Sequence, residues 1–338
     1  MKLSTAELRL LPKVELHVHL DCSLGIDVVR GLGRPITDDD FAQVFAAPEK
    51  CASLRQYLDA IAPSCDLLQT EPALFMAARS LAERLADENV VHAEVRFAPH
   101  AQIRRGLTPS QVIDAVLAGF DTAMASRGTT VAALLCVLRE HDSETGLELV
   151  GLAEAYRNRG VAGIDLAGDE AGWPLEAHVP VFRKAAALGL RRTAHAGEAL
   201  GADSVIDTIE KLDVERIGHG VRSIEDPRAI ALIKERNIHL EICPTSNIQV
   251  GVFPSLDEHP IDKLSRMGVS LSVNTDARTV NPTSLTREYA LLARQFGWDA
   301  DDFLAHNIEA INHAFLPEAS RKRLFAQYME AWDRRTVA

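Results

Sequence analysis

The chain has 338 residues, of which 47% are hydrophobic and 25% charged, so it is ordinary globular material, long enough for one large α/β barrel or two domains. A single domain over residues 1–338 is the simpler interpretation. The formal net charge of −12 argues against nucleic acid and anionic membranes as partners, because both would meet net repulsion.

The first predicted element is a strand over residues 13–21, in which polar and apolar side chains alternate strictly. In such a strand His17 and His19 point to one face, Asp21 continues that face, and the apolar residues point to the other. Neutral imidazoles two residues apart suit a divalent ion such as zinc. An HxH pair alone is equally consistent with polar residues on a solvated strand face, so the rest of the chain decides.

A long insertion separates this strand from the next strand signal and covers residues 22–89. Two stretches of the insertion, 53–61 and 72–86, carry apolar residues at helical spacing. An insertion of this length directly after a candidate ligand strand is more often a cover over the site than a separate domain.

Strands and helices alternate over the rest of the chain. The predicted strands are residues 90–99, 130–139, 161–168, 190–198, 215–220, 239–247 and 269–277. The predicted helices between them are residues 109–126, 147–159, 175–188, 203–212, 226–236 and 260–267. With the opening strand these make eight strand–helix units, which predicts an α/β fold, the closed (β/α)8 TIM barrel. Extra C-terminal helices are predicted around 285–295, 300–314 and 317–331.

In such a barrel the functional residues lie at the C-terminal ends of the strands. Three histidine-bearing ends and an aspartate then converge on one mouth. Three imidazoles, from His17, His19 and His195, and the carboxylate of Asp276 would bind one zinc and leave a position for water. Zinc lowers the pKa of such a water toward ~7.

Two more residues at these strand ends suit proton transfer. His219 could take up or orient the proton of the water. Glu198 follows His195 in a glycine-containing turn and is placed to act as a general acid. Strand four has no lysine and its Asp165 lies mid-strand, which argues against a second metal bridged by a modified lysine. We therefore expect a mononuclear site.

Nothing in the sequence predicts export or membrane insertion. The first twelve residues mix charged residues among leucines, and the longest apolar run, residues 131–138, is too short to span a bilayer. The five cysteines are an odd number and include no CxxC pair, which is typical of free thiols in a reducing compartment. We therefore expect a soluble, cytoplasmic protein.

Six motifs resemble the adenosine deaminase family of the amidohydrolase superfamily, in order along almost the whole chain. They are KVELHVHLD from residue 13, GIDLAGDE from 163, HAGE from 195, RIGHG from 216, CPTSN from 243 and NTD from 274. The resemblance implies a (β/α)8 barrel, one zinc per chain, and hydrolytic loss of ammonia from C6 of a purine nucleoside.

The resemblance also implies roles by position. The zinc ligands would be His17, His19, His195 and Asp276. Glu198 would protonate N1 of the purine, and His219 would hold the attacking water. The backbone N–H of Gly168 would meet N3, and Asp21 would accept a hydrogen bond from the ribose 5′-hydroxyl.

Two positions depart from the family pattern. Many members have a second aspartate after the zinc ligand, which contacts purine N7, whereas here Ala277 follows Asp276. Recognition of N7 would then need Arg278, Asn274, a water or another loop, or the preferred base differs. Cys22 stands where glycine is common, and we interpret it as a packing variation that can reshape the ribose end of the pocket.

Two sets of residues have open interpretations. Asp169 and Glu170 either take part in the site or cap the next helix, and we favour the cap. Apolar residues of the insertion either line a purine pocket or only pack between helices. The latter are Phe41, Phe45, Leu54, Tyr57, Leu58 and Ile61.

The sequence therefore predicts a zinc-dependent deaminase that converts adenosine, and 2′-deoxyadenosine, to inosine and ammonia. Asp21 would repel a 5′-phosphate, so AMP should be a poor substrate. The alternative, motivated by Ala277 and Cys22, is a deaminase of a different 6-aminopurine or of a 5′-modified adenosine. A non-catalytic relative fits less well, because the site residues are all present. The expected partner is a small-molecule purine nucleoside. The sequence pattern favours neither a monomer nor an oligomer.

Overall fold

Eight parallel strands form one sheet in chain order in the computed structural model, which describes residues 3–334. The strands are Lys13–His19 (β1), Val90–Phe97 (β2), Thr130–Leu138 (β3), Val161–Ala167 (β4), Arg191–Ala196 (β5), Arg216–His219 (β6), His239–Ile242 (β7) and Leu271–Val273 (β8). Backbone bonds close the sheet, because His19 N donates to Asp276 O at 2.7 Å and Asp276 N donates to His17 O at 2.9 Å. The predicted TIM barrel is confirmed. Residues 1–2 and 335–338 of the predicted domain lie outside the described part.

Helices connect the strands and form an outer layer around the barrel. The helices are Thr5–Leu10 (α1), Ile26–Gly31 (α2), Asp38–Phe45 (α3), Leu54–Asp59 (α4), Ala62–Leu67 (α5), Glu71–Ala86 (α6), Pro109–Arg127 (α7), Ser143–Tyr156 (α8), Val179–Ala187 (α9), Ala202–Leu212 (α10), Pro227–Glu235 (α11), Pro244–Gln249 (α12), Ile261–Arg266 (α13), Leu285–Phe296 (α14), Ala300–His313 (α15) and Glu318–Arg334 (α16). Helices α2 to α6 are the predicted insertion, and α14 to α16 are the predicted C-terminal helices. Within residues 3–334, no helix has both the length and the apolar character of a membrane span.

The seventh strand is shorter than the sequence pattern predicts. It ends at Ile242, and the predicted strand residues 244–247 instead begin helix α12. Pro244 is the physical reason, because proline lacks an N–H for a strand ladder and its fixed φ suits the first turn of a helix. The change brings Ser246 and Asn247 to the barrel mouth on a helix.

The barrel interior contains a buried network of charged side chains. Arg96 Nη1 lies 3.1 Å from Asp165 Oδ2, and Arg96 Nη2 lies 2.7 Å from Glu241 Oε2. Arg216 lies 2.6 Å from both Glu241 Oε1 and Glu94 Oε2. Burial would raise the pKa of Glu241, but the two guanidinium groups hold it well below its usual range. These carboxylates therefore stay ionised directly beneath the mouth.

Candidate metal centre and active site

Four donor atoms converge at the barrel mouth. His17 Nε2 and His19 Nε2 lie 3.3 and 3.4 Å from Asp276 Oδ1, and His19 Nε2 lies 3.2 Å from His195 Nε2. A tetrahedron with metal–ligand bonds of about 2.0–2.1 Å has edges of about 3.3–3.4 Å. These three separations match the donor spacing of a small tetrahedral ion such as zinc, and one group of donors within 4.8 Å of one another comprises His17, His195, His219 and Asp276. The structure brings the four predicted ligands together.

Carboxylates behind two of the histidines set which nitrogen carries the proton. His17 Nδ1 lies 2.8 Å from Glu241 Oε2, and His195 Nδ1 lies 3.2 Å from Asp165 Oδ1. Because a carboxylate only accepts, both rings are protonated on Nδ1, and the Nε2 lone pairs point into the cluster. Arg96 contacts both carboxylates. One buried guanidinium therefore fixes the partners of two candidate ligands.

The free nitrogens of the cluster fit a metal. His17 Nε2 is buried and has no hydrogen-bond partner among the described residues. His19 Nε2 lies 3.2 Å from His195 Nε2, whose lone pair can accept a proton from His19 or face a cation that both nitrogens share. Burial also lowers the pKa of His19 well below its usual value, which favours the neutral imidazole that binds metal. The cluster is thus able to bind a metal ion.

Backbone conformation aims these side chains at one point. Asp276 follows β8 with a φ of 61°, and His219 ends β6 with a φ of 63°, both in the left-handed region that few non-glycine residues adopt. Gly218 leaves room for the cluster, because a Cβ there would lie 2.8 Å from His17 Cε1 and 3.3 Å from His195 Cγ. Ser246 Oγ, on α12, donates to Asp276 Oδ2 at 2.6 Å.

A second group of polar side chains lies beside the metal cluster. Asn247 Nδ2 lies 3.1 Å from Glu198 Oε1 and 3.0 Å from His219 Nδ1, and Asn247 Oδ1 lies 3.2 Å from His259 Nε2. Because the amide nitrogen donates both of its protons, His219 Nδ1 is an acceptor and the ring proton lies on Nε2. His219 is therefore a donor toward the cluster.

Glu198 is held in its protonated form by its surroundings. Burial is the largest cause, and the carboxylates of Asp276 and Glu170 add to it, so the pKa of Glu198 is raised well above its usual value. A protonated carboxyl beside a nucleophile site can donate to a ring nitrogen. This is the general-acid character that the sequence predicts at this position.

Glu170 holds the loop that carries Glu198. Its carboxylate accepts hydrogen bonds from the backbone N–H groups of residues 197–200, at 2.7 to 3.1 Å, and from Ser204 Oγ at 2.6 Å. The predicted cap of the next helix is wrong for Glu170, which instead crosses to the loop after β5. Asp169 does cap its own turn, because it accepts from Ala171 N and Gly172 N.

A cavity of about 410 Å³ opens above the cluster. Seven predicted site residues line it, namely His19, Asp21, Gly168, His195, Glu198, His219 and Asp276. The eighth, His17, is fully buried behind them. Of the insertion residues whose role was open, Leu54, Tyr57, Leu58 and Ile61 line the cavity, and Phe41 and Phe45 do not. The insertion therefore covers the site.

Two thiols lie beside Asp21 in the cavity. Cys22 Sγ lies 3.6 Å from Asp21 Oδ1, and Cys65 Sγ lies 4.0 Å from Asp21 Oδ2. Burial raises the pKa of Cys65 to about 12, so this thiol is neutral. Gly168, with a φ of 102°, lies at the wall, where a Cβ would lie 3.0 Å from Glu140 Oε2. The wall therefore leaves the Gly168 backbone open to a ligand.

Comparison with known proteins agrees with this geometry. The family model described as adenosine deaminase matches residues 12–331. A protein named adenosine deaminase from Mycolicibacterium gilvum is 36% identical, over 93% of this chain and 93% of its own length. Among solved structures, an amidohydrolase from Burkholderia ambifaria with bound zinc has a TM-score of 0.88 at 25% identity, covering 99% of this chain and 95% of that one.

A second solved structure is also similar along its length. The N6-mAMP deaminase from Arabidopsis has a TM-score of 0.86 at 27% identity, covering 96% of this chain and 99% of that one. The family match spans nearly all of the chain and includes every strand that contributes to the cluster. The chain belongs to the adenosine deaminase family.

Proposed function

We propose that this protein deaminates adenosine to inosine and 2′-deoxyadenosine to 2′-deoxyinosine, with release of ammonia, using one zinc ion per chain. The proposal rests on one observation, that two sets of side chains lie next to each other at the floor of the cavity. One is the set of donors spaced 3.2 to 3.4 Å apart, and the other is the neighbouring Glu198 and His219, joined through Asn247. The first group suits zinc, and the second suits proton transfer.

The zinc ligands in this proposal are His17, His19, His195 and Asp276. Zinc held there supplies Lewis-acid activation of water near neutral pH. No lysine lines the cavity among the residues 3–334, which supports a single ion rather than a pair bridged by a modified lysine.

The side chains of this protein would direct the reaction at C6 of the purine. His219 donates from Nε2 and orients the attacking oxygen, while Glu198 gives its proton to N1. A C6–O bond forms, the C6–N6 bond breaks and ammonia leaves. The two protons of water end on N1 and on ammonia, so Glu198 regains its proton. The Gly168 N–H would donate to N3.

The ribose end of the cavity favours a nucleoside over a nucleotide. Asp21 would accept from the 5′-hydroxyl and would repel a 5′-phosphate. Arg55 is the one arginine or lysine in the described lining of the cavity. Its Nε already lies 3.1 Å from Asp59 Oδ1. Free adenine would lose the ribose contact. We therefore propose that AMP and adenine are poor substrates.

We also propose that the enzyme works in the cytosol, where its five free thiols stay reduced.

The second candidate is deamination of a different 6-aminopurine or of a 5′-modified adenosine. It is favoured by Ala277, which is fully buried in an apolar cluster with Cys22 and offers only a methyl group. The similarity to an N6-mAMP deaminase shows that the fold also supports work on a nucleotide. A substrate panel separates the two candidates.

The experiment is steady-state kcat/KM on zinc-loaded protein, followed by the ultraviolet change as the 6-amino group is lost. The panel contains adenosine, 2′-deoxyadenosine, AMP, N6-methyl-AMP, adenine and 5′-deoxy-5′-methylthioadenosine. We expect adenosine to reach at least about 10⁴ M⁻¹s⁻¹ and AMP to be far slower. A higher value for AMP, N6-methyl-AMP, adenine or 5′-deoxy-5′-methylthioadenosine than for adenosine contradicts the proposal and favours the second candidate.

A further inference from the structure

Tyr57 brings a hydroxyl from the insertion to the floor of the cavity. It lies on α4, is only 4% exposed, and its Oη lies 3.4 Å from Asp276 Oδ2 and in a short contact with Asn281 Oδ1. In the described lining of the cavity it is the one residue that carries a hydroxyl. Because burying a hydroxyl without a hydrogen-bond partner is unfavourable, we expect the partners of this phenol to matter.

The ring of Tyr57 packs in an apolar cluster, while its hydroxyl reaches the polar floor. The cluster consists of Tyr57, Cys22, Ala47, Cys51, Val250, Ala277 and Val280. Both positions where the sequence departs from the family pattern, residues 22 and 277, are in this cluster. The side chain of Ala277 has no hydrogen-bonding atom, so the Tyr57 hydroxyl is the polar group that this cluster brings to the floor, beside Asp276 and Asn281.

The orientation of a bound purine follows from Glu198 and the metal cluster. With C6 at the cluster and N1 at Glu198, the next polar ring atom on the other side of C6 is N7, which only accepts hydrogen bonds. Glu198 contacts Asn247 and His219, and the Tyr57 hydroxyl lies 3.4 Å from Asp276 Oδ2. In the proposed pose, the Tyr57 hydroxyl is the hydroxyl of the described lining that is available to N7.

We propose that the Tyr57 hydroxyl donates a hydrogen bond to N7 of the bound purine and makes the enzyme selective for a nitrogen at position 7. This assignment rests on the proposed function, since it takes a 6-aminopurine as the substrate. Tyr57 is then a specificity-determining residue supplied by the insertion, in place of a side chain after Asp276.

The present contacts of Tyr57 allow this role. A phenol has one proton, which in the free enzyme goes to Asn281 Oδ1. Rotation about the Cζ–O bond redirects that proton while the ring stays packed. Asp276 does not depend on Tyr57, because Ser246 Oγ already donates to Asp276 Oδ2 at 2.6 Å. Substrate can therefore take the proton of Tyr57 without disturbing the candidate metal ligand.

The test is a binding cycle between Tyr57 and N7. Dissociation constants for adenosine and for 7-deazaadenosine, in which a C–H replaces N7, are measured by stopped-flow binding, before the first turnover, in a Glu198→Gln background in which turnover is slowed about 10²- to 10⁴-fold. Tyr57→Phe should weaken adenosine about three- to tenfold and leave 7-deazaadenosine unchanged, because one neutral hydrogen bond is lost in the first case only. Zinc content should be the same in both proteins.

A matched control and the contrary outcomes complete the test. Tyr156→Phe removes a hydroxyl that lies 3.3 Å from Ser110 O, outside the cavity lining, and should change neither constant. Equal weakening of both purines by Tyr57→Phe, or no weakening of either, overturns the assignment. If the parent enzyme with Glu198 intact does not turn over adenosine although the cycle shows coupling, the proposed function fails while the role of Tyr57 stands.

Discussion

The two ends of the barrel each hold a cluster of histidines and a carboxylate. At the mouth the cluster comprises His17, His195, His219 and Asp276, and at the opposite end it comprises His239, His313 and Glu309. In both clusters the potential donor atoms lie within 4.8 Å of one another. Proximity of such residues alone therefore does not distinguish a metal site from a structural cluster.

The hydrogen bonds of the rings make the difference. His239 lies 2.9 Å from Ser270 Oγ through Nδ1 and 2.9 Å from Ser272 Oγ through Nε2. His313 lies 3.0 Å from Glu309 O through Nδ1, and its ring stacks on His239 at 4.7 Å. At the mouth, in contrast, the buried His17 Nε2 has no partner in the described part of the chain. An unpartnered nitrogen is not enough by itself, because His92 Nε2, His100 Nδ1 and His178 Nδ1 also have no hydrogen-bond partner among the described residues. At the mouth, the unpartnered nitrogen also lies among other converging donors.

The largest effect is expected from removing a carboxylate donor at the mouth. Asp276→Ala deletes one of the four converging donors, so zinc binding and turnover should fall together by several orders of magnitude. Zinc content by plasma emission and kcat/KM for adenosine measure the two losses. Asp203→Ala, which removes an exposed carboxylate paired with Arg228, is the matched control and should change neither. Normal zinc content in Asp276→Ala would contradict the assignment.

The next largest effect separates proton transfer from metal binding. Glu198→Gln keeps the size and the Asn247 contact of the side chain but removes the acidic proton. Turnover of adenosine should fall about 10²- to 10⁴-fold because N1 is no longer protonated, while zinc content stays at the parent value. Single-turnover rates and metal analysis on the same sample measure both. Equal rates in variant and parent would remove Glu198 from the mechanism.

A smaller effect is expected at Glu241, which contacts the candidate ligand His17 at Nδ1. Glu241→Gln leaves His17 with a neutral partner, so zinc affinity should fall about 10- to 100-fold. Competition against a chelator measures the zinc affinity. Thermal unfolding measures the loss of stability when the buried charges of Arg96 and Arg216 lose the negative charge of Glu241. Glu83→Gln, at an exposed pair 2.9 Å from Arg79, is the control. Unchanged zinc affinity in Glu241→Gln would show that the carboxylate is structural only.

The smallest effect is expected at the other end of the barrel. His313→Asn removes the ring stacked on His239, which should cost about 1 kcal/mol of unfolding free energy. Zinc content and kcat/KM should stay within about twofold of the parent, because the ring nitrogens of His239 and His313 already have hydrogen-bond partners. Denaturant unfolding and metal analysis check the two parts. Loss of one zinc equivalent in this variant would show that the cluster of His239, His313 and Glu309 binds metal.

Much of this arrangement could be predicted from the sequence. The strict alternation of β1 places His17 and His19 on one face, and the repeat of strand and helix predicts the barrel that brings strand ends together. The residues behind the ligands were missed, although β2 carries a signal for them. His92, Glu94 and Arg96 alternate with apolar residues, which indicates a charged interior face.

Partnerships across the barrel could not be predicted. Glu241 contacts His17 over a sequence separation of 224 residues, and Glu170 reaches the loop after β5. No local pattern states which carboxylate meets which donor, because the pairing depends on the register and tilt of distant strands. The helix at residues 244–249, and with it the placement of Asn247 beside Glu198, was missed in favour of a longer strand. The single-domain interpretation and the residue roles stay predictions.

Reconstitution of metal-free enzyme with zinc, while adenosine turnover is followed, tests whether the donors at the barrel mouth hold one zinc ion that is needed for deamination. We expect activity to rise linearly and to stop at one zinc per chain, with no recovery in Asp276→Ala. Full activity without zinc, or a rise that continues to two zinc ions per chain, would show that deamination does not depend on a single ion at this site.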